Sequence, residues 1–363
     1  GDIFIQNDLA NTLELIKKNG VDGFYSGKTA ELIVNQISQQ GGYITLEDLK
    51  NYKPIERSPI TTDYKGYKVI TMGPPSGGGV SLLQMLNILE NKSFENNEWG
   101  SSSYYHNLIE AMKYTFADRS KHIGDPDFYD VPIDWLLSKK YAEELFNKIK
   151  NDATPSSEIL PGEANSYSES EETTHYSVID KFGNAVSTTT TINSSFGSKV
   201  VVDGAGFLLN NEMDDFSSKP GEPNQFGLIG SEANKIEPGK RMQSSMSPTI
   251  ILKDDKVFML IGSPGGSTIS TVVLQVILNV LDFGMDIQQA IDMPRIHHQW
   301  LPDEINYERF GLSLDVIQSL QNRGHIFGGI RTLGRCEGIV VDFENEIFFG
   351  ATDPRGYGAA IGF

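Results

Sequence analysis

Cysteine is almost missing from this chain: Cys336 is the only one in 363 residues. A single thiol builds no internal disulfide framework and no thiolate-based structural zinc site. Cations are scarce too, with 30 Lys and Arg against 48 Asp and Glu, giving a formal charge of −18 and a pI near 4.7. A polyanion is a poor partner for nucleic acid or anionic lipid, whose binding rests on Lys and Arg displacing phosphate counterions. No apolar run is long enough to span a bilayer: the longest, from about Thr271 to Leu281, is broken by Gln275 and Asn279 and reads as a buried helix. The chain opens Gly1-Asp2-Ile3, with neither a basic n-region nor an apolar h-region. No targeting signal is therefore visible, and the expectation is a removed start or a piece of a longer product. The remainder is ordinary for a folded protein: 39% apolar residues and 36 glycines exclude disorder and collagen-like repeats. The length suits one large domain or two smaller ones.

The first 150 residues read as helices with a few strands between them. Asp8 is placed to cap a helix carrying Leu9, Leu13 and Ile16 that stops at Gly20; a second helix covers about Thr29 to Gln39. Thr45 and Asp48 have capping-box spacing. Pro59 to Thr62 and Tyr67 to Met72 alternate as strands of a hairpin, and the breaker run from Gly73 to Gly79 leads into a helix from Val80 to Leu89. Helices follow near Tyr104 to Arg119 and Trp135 to Ile149. Between Asn151 and Glu172 the composition turns to Ser, Pro, Glu, Asp and Asn without apolar period, the mark of a flexible exposed linker. Beyond it the pattern is β: His175 to Asp180, a turn at 181–184, Ala185 to Asn193, Gly206 to Leu209, Pro248 to Leu252 and Val257 to Ile261. A helix from Ser270 to Leu281 and strands near Gly338 to Asp342 and Glu346 to Gly350 complete a layered rather than βαβ arrangement.

Thr173 is the most informative position for chemistry. The acidic linker ends at Glu172, and a strand opens at once with Thr173-Thr174-His175-Tyr176-Ser177. A hydroxyl at such a junction can attack its own preceding carbonyl, move the acyl group from nitrogen to oxygen, and become a new N-terminus on hydrolysis. The α-amine released, with an ordinary pKa of about 7.7 to 8.0, can serve as base for its own hydroxyl. The plainer reading is a β-branched pair starting a strand. Gly262-Ser263-Pro264-Gly265-Gly266-Ser267 lies between a strand and a helix. Its Gly265 and Gly266 amides can point at a developing oxyanion beside a helix N-terminus, or form a simple turn. A phosphate loop is disfavoured, since neither a P-loop Lys nor a GxGxxG pattern is present. Glu212 and Asp215, three apart, can grip a substrate ammonium or merely face water; Ser244 and Ser245 can bond a carboxylate. His297-His298 lacks HExxH spacing and a Cys ligand, so no metal site is expected, and no GxSxG elbow occurs.

Taken together, TTHYSVID, NNEMDDF, SSMSPT, GSPGGS and the terminal TDPR at Thr352 to Arg355 resemble the γ-glutamyltranspeptidases of the N-terminal nucleophile hydrolase superfamily. The motifs occur in the family's order, and DLKNYKPIERSPI and ADRSKHIGDPDF extend the resemblance over essentially the whole chain. The resemblance implies an α+β fold, an αββα four-layer sandwich lacking the family's N-terminal segment and the carboxylate-binding Arg it carries. It implies residues 1–172 as the later part of a large subunit and 173–363 as the small subunit, paired as a heterodimer from one precursor cut between Glu172 and Thr173. Thr173 would be the nucleophile and Thr191 its supporting hydroxyl. Asn193, Glu212 and Asp215 would hold the substrate α-amino group, Ser244 and Ser245 its α-carboxylate, and Gly265 with Gly266 the oxyanion. The loop 219–228, with Phe226, resembles a lid over the glutamyl pocket. The implied reaction is γ-glutamyl transfer from glutathione or related compounds to water, amino acids or peptides. It needs no cofactor, because nucleophile, base and oxyanion donors all come from the chain. Export to the periplasm or medium is implied as well. The alternatives are a capsule-type poly-γ-glutamate depolymerase or transferase, suggested by the Gly-Ala-Ala-Ile-Gly-Phe ending, and a non-catalytic fragment or pseudoenzyme.

Overall fold

In the computed structural model, residues 1–94, 98–160, 173–222, 224–225 and 227–362 are described. The chain divides into two compact units, one formed by Gly1–Arg57 with Ile192–Asn211 and the other by Ser58–Thr191 with Glu212–Phe363.

The first unit holds helices α1 (Asn7–Asn19), α2 (Asp22–Tyr25), α3 (Gly27–Gln39) and α4 (Leu46–Asn51). Asp8 is not the cap of α1. The helix starts two residues earlier, behind Gln6, and Asp8 sits in the first turn, where its charge still favours the positive helix end. The Thr45–Asp48 capping box forms as read: the Thr45 amide donates to Asp48 Oδ2 at 2.8 Å and the Asp48 amide to Thr45 Oγ1 at 3.2 Å. Residues 192–211 cross these helices as an irregular loop. Val202 and Ala205 pack with Ile33, Phe24 and Phe207, and Thr12 donates to the Ala205 carbonyl at 2.9 Å. The strand expected from Gly206 to Leu209 is a single bridge between Val201 and Leu208, because Gly204 and Gly206 both take positive φ and turn the chain back too tightly for a ladder.

The second unit contains, in chain order, β1 (Ile60–Tyr64), β2 (Tyr67–Thr71), α5 (Gly77–Leu89), α6 (Ser102–His122), α7 (Ile133–Leu136), α8 (Lys139–Phe146), β3 (Thr174–Ile179), β4 (Ala185–Thr190), β5 (Thr249–Lys253), β6 (Lys256–Gly262), α9 (Ile269–Leu281), α10 (Ile287–Asp292), β7 (Ile296–His297), β8 (Ile305–Tyr307), α11 (Leu314–Asn322), β9 (Phe327–Ile330), β10 (Glu337–Asp342) and β11 (Ile347–Thr352). Among the described residues the main sheet is antiparallel and six-stranded, ordered β1-β2-β5-β6-β10-β11. Register shows what lies on each face. Gly262 pairs with Glu337 and Ile261 with Gly338, so the two pairs point to opposite sides of the sheet. On one side Gly338 meets Ile287 of α10, and Ile261 and Met259 join a core with α5 and α9. On the other side Gly262 meets His175 of the β3–β4 hairpin. The order helix, sheet, sheet is thus established around β6. α5 and α9 are buried along almost their whole length, as their unbroken apolar character requires. The helix expected over Trp135 to Ile149 is split into α7 and α8 at Ser138, whose hydroxyl caps α8. Among the described residues no helix is long and apolar enough to cross a membrane.

Candidate active site

Thr173 stands immediately before β3, and the register that pairs Thr174 with Thr190 brings it opposite Thr191. Its hydroxyl donates to Thr191 Oγ1 at 3.4 Å. The hairpin is closed by Asp180, whose Oδ1 accepts from the Phe182 and Asn184 amides at 2.8 and 2.9 Å, with Gly183 at positive φ. It is fixed to the main sheet by His175 against Gly262 and by Ser187, which donates to the Ile261 carbonyl at 3.3 Å. Burial pushes the His175 imidazole down to about 4, so the ring is neutral at neutral pH and bonds the hydroxyls of Thr189 and Ser177. Glu172 lies outside the described residues.

β6 runs straight into the glycine pair. Gly265 has φ +137° and Gly266 φ +53°, and a 3₁₀ turn at Gly266–Thr268 continues into α9. Ser263 donates to the Pro264 carbonyl at 2.6 Å, while Thr268 donates to the Gly265 carbonyl at 2.7 Å. A trans peptide sets its carbonyl and its N–H on opposite sides. Pinning the Pro264 and Gly265 carbonyls therefore aims the amides of Gly265 and Gly266 away from Ser263 and Thr268. The TDPR motif braces this loop from behind. Asp353, fully buried, pairs with Arg295 at 2.8 Å and with Arg355 at 3.0 Å, and Arg355 reaches Glu308 at 2.6 Å. Asp353 also accepts from the Cys336 amide at 2.8 Å, and the adjacent Arg335 amide donates to Ser263 Oγ at 3.0 Å.

Glu212 and Asp215 share a 3₁₀ turn, Glu212–Asp215. Three residues per turn put positions three apart on one face, so both carboxylates project together. Burial pushes the Glu212 carboxyl up to about 7. The turn is held by Asn234, which donates to the Asp215 carbonyl at 2.7 Å. Ser244 exchanges backbone bonds with the segment before α5: its amide donates to the Pro75 carbonyl at 3.1 Å, and the Gly77 amide donates to the Ser244 carbonyl at 2.8 Å. α5 begins at Gly77, three residues earlier than the sequence pattern suggests. A Cβ on Gly78 would overlap the Ser245 carbonyl, so the glycines that read as breakers serve instead as the close contact between helix and serine pair.

Arg119 is a group the sequence reading missed. It lies on α6, is 5% exposed, and donates from Nη2 to Ser245 Oγ at 2.9 Å. The ADRSKH stretch carried the signal, but 126 positions separate the two residues and no local pattern joins them. Asn193 belongs to the first unit, where it takes φ +75° and donates from Nδ2 to the Asn211 carbonyl at 3.3 Å. Phe226 lies outside the described residues. His297 is a core group: burial pushes it down to about 3, and it bonds Thr271 and Gln299.

The model of the family described as Gamma-glutamyltranspeptidase matches residues 1–363. The glutathione hydrolase proenzyme of Escherichia coli (strain K12) is 49% identical over 356 residues, 98% of this chain and 61% of that protein. The chain thus spans about three fifths of the length of this curated relative. Among solved structures, a cephalosporin acylase from Bacillus halodurans superposes with a TM-score of 0.85 at 30% identity, covering 98% of this chain and 62% of that one. A gamma-glutamyltranspeptidase chain from Pseudomonas nitroreducens complexed with L-DON is 49% identical, covering 52% of this chain and 99% of that one at a TM-score of 0.51. These neighbours are N-terminal nucleophile hydrolases, and the chain's mixture of helices and sheets is the α+β fold of that type. Matched by the family model from its first residue to its last and nearly half identical to a curated member, the chain belongs to the gamma-glutamyltranspeptidase family.

Proposed function

We propose that the protein transfers γ-glutamyl groups through an ester on Thr173, after cutting itself before that residue. The observation that carries the reading is the Thr173–Thr191 hydroxyl pair, on a hairpin anchored to the strand that feeds the glycine loop. In maturation Thr173 Oγ attacks the Glu172 carbonyl carbon, the peptide C–N bond breaks as the ester forms, and water hydrolyses the ester to leave Thr173 with a terminal amine. The pieces, 1–172 and 173–363, stay together as large and small subunits.

In turnover Thr173 Oγ attacks the γ-carbonyl carbon of the donor and its proton passes to the α-amine of Thr173. Thr191 accepts a hydrogen bond from the Thr173 hydroxyl and so orients it. The amides of Gly265 and Gly266 receive the oxyanion in a direction set by the Ser263 and Thr268 hydrogen bonds. Collapse transfers the proton to the leaving amine and leaves the γ-glutamyl ester; water then gives hydrolysis, and an amino acid or peptide gives transpeptidation. Glu212 and Asp215 bind the donor α-ammonium. Ser245 already accepts from Arg119, which leaves its own O–H to donate to the α-carboxylate, with Ser244 beside it. The family resemblance alone assigns Asn193 a substrate hydrogen bond, Phe226 a place in a lid, and the protein an exported location. Relatives named glutathione hydrolase favour a glutathione-type donor over a γ-linked glutamate polymer. Release of aniline from a γ-glutamyl anilide tests the proposal: Thr173→Ala should abolish both release and self-cutting, and retention of either removes Thr173 as nucleophile.

A further inference from the structure

Residues 151–159 read from composition as the opening of a flexible exposed linker, yet Thr154, Ser156 and Ile159 are buried. The reason is a cluster of charges the proposed chemistry does not use. Glu110 and Lys113 lie one turn apart on α6, 0% and 1% exposed, with Lys113 Nζ 3.1 Å from Glu110 Oε1 and 3.6 Å from Asp303 Oδ1. Lys113 also donates to the Thr154 carbonyl. The Thr154 amide donates to both Glu110 oxygens at 3.3 Å, and the Ser156 amide donates to Asp303 Oδ2 at 2.8 Å. Trp300 Nε1 donates to the Ser156 carbonyl at 2.9 Å, and the Ala153 amide donates to the Arg323 carbonyl at 2.7 Å. His298 closes the ring on Asp303 at 3.2 Å.

Outside a short 3₁₀ turn at Ser156–Glu158, this stretch has no helix or sheet to satisfy its backbone. Buried N–H and C=O groups need partners, and here buried charges and downstream backbone supply them. The partners fall on both sides of the proposed cut: Glu110 and Lys113 precede Thr173, whereas Trp300, Asp303 and Arg323 follow it.

We infer that residues 151–159 are a strap seated by Lys113, Glu110 and Asp303, and that Lys113 is a positioning residue for self-cleavage. The inference rests on the reading of Thr173 above. Thirteen residues, 160–172, join the strap to Thr173, and Thr173 is itself held at the start of β3. Seating the strap limits the tether ahead of Thr173 to these thirteen residues, and a shorter tether loses less entropy when its end is brought to Oγ. After the cut the same contacts clasp the end of the upstream piece to the downstream one.

The test compares Lys113→Met, Lys113→Arg and Asp303→Asn with the parent protein, each made once with Thr173 intact, for cutting and kcat, and once with Thr173→Ala. Hydrogen exchange on the Thr173→Ala proteins reads the strap without any cutting, and circular dichroism confirms folding. Expected are faster exchange at Ala153, Thr154 and Ser156 in Lys113→Met and cutting slowed by about twofold. The fraction that has matured should keep its kcat, and Lys113→Arg should recover most of the cutting rate. Asp303→Asn supplies the same readings if Lys113→Met does not fold. Unchanged exchange overturns the strap, and faster exchange with unchanged cutting overturns the positioning role. Both outcomes leave the Thr173 reading standing; only cutting that persists in Thr173→Ala removes that reading, and the exchange data still judge the strap.

Discussion

The imidazole of His175 rests directly on Cα of Gly262, with no room for a Cβ between them. His175 lies two residues after Thr173, and Gly262 lies three before Gly265. One contact therefore ties the proposed nucleophile and the proposed oxyanion loop to the same end of β6. Gly262→Ala must push the hairpin off the sheet, and overpacking of this kind costs about 1 to 3 kcal/mol. A lowered melting temperature together with impaired cutting is expected; unchanged cutting would mean the contact does not set the position of Thr173.

Removing the Ser263 hydroxyl frees the Pro264 carbonyl and with it the direction of the Gly265 amide. Ser263→Ala should lower kcat by about tenfold, less than the 10²–10³ typical of deleting an oxyanion donor outright, and leave KM nearly unchanged. Steady-state kinetics on the anilide would show it. A rise in KM alone would move Ser263 from transition-state to ground-state binding.

These two positions show how unevenly the sequence discloses the site. The β3–β4 hairpin was legible because alternation and the turn at 181–184 are local, and the glycine pair because a strand and a helix flank it. Arg119 on Ser245, the strap on Lys113 and the packing of residues 192–211 with the first helices were not, since each depends on residues brought together only by tertiary folding. The glycines at 77–79 misled for a related reason: in sequence they mark a break, but in space Gly77 admits the side chains of Gln243 and Arg119, Gly78 the backbone of Ser245 and Gly79 that of Met72.

Glu212 gives a prediction in pH. With its carboxyl pushed up to about 7 by burial, it is neutral below that value and can grip an ammonium only above it. The terminal amine of Thr173 must also be unprotonated to act as base, so kcat/KM should fall with two protons on the acid side. Glu212→Gln should lower kcat/KM and leave a one-proton limb. A two-proton limb in that variant would show that another group titrates.

Arg119→Met removes the donor that orients Ser245 and should raise KM for the γ-glutamyl donor with a smaller effect on kcat. A buried charge-assisted hydrogen bond of this kind is worth about 1.5 to 3 kcal/mol, or roughly tenfold to a hundredfold in KM. Ser245→Ala should match it, and the double variant should be little worse than either alone. Additive losses would separate the two residues.

The most direct measurement is the intact mass and N-terminal sequence of catalytically competent protein. The account predicts two species in proportion to lengths of 172 and 191 residues, about 19 and 21 kDa of the 40.1 kDa total, the second beginning Thr173-Thr174-His175. Active material with the Glu172–Thr173 bond intact would contradict it.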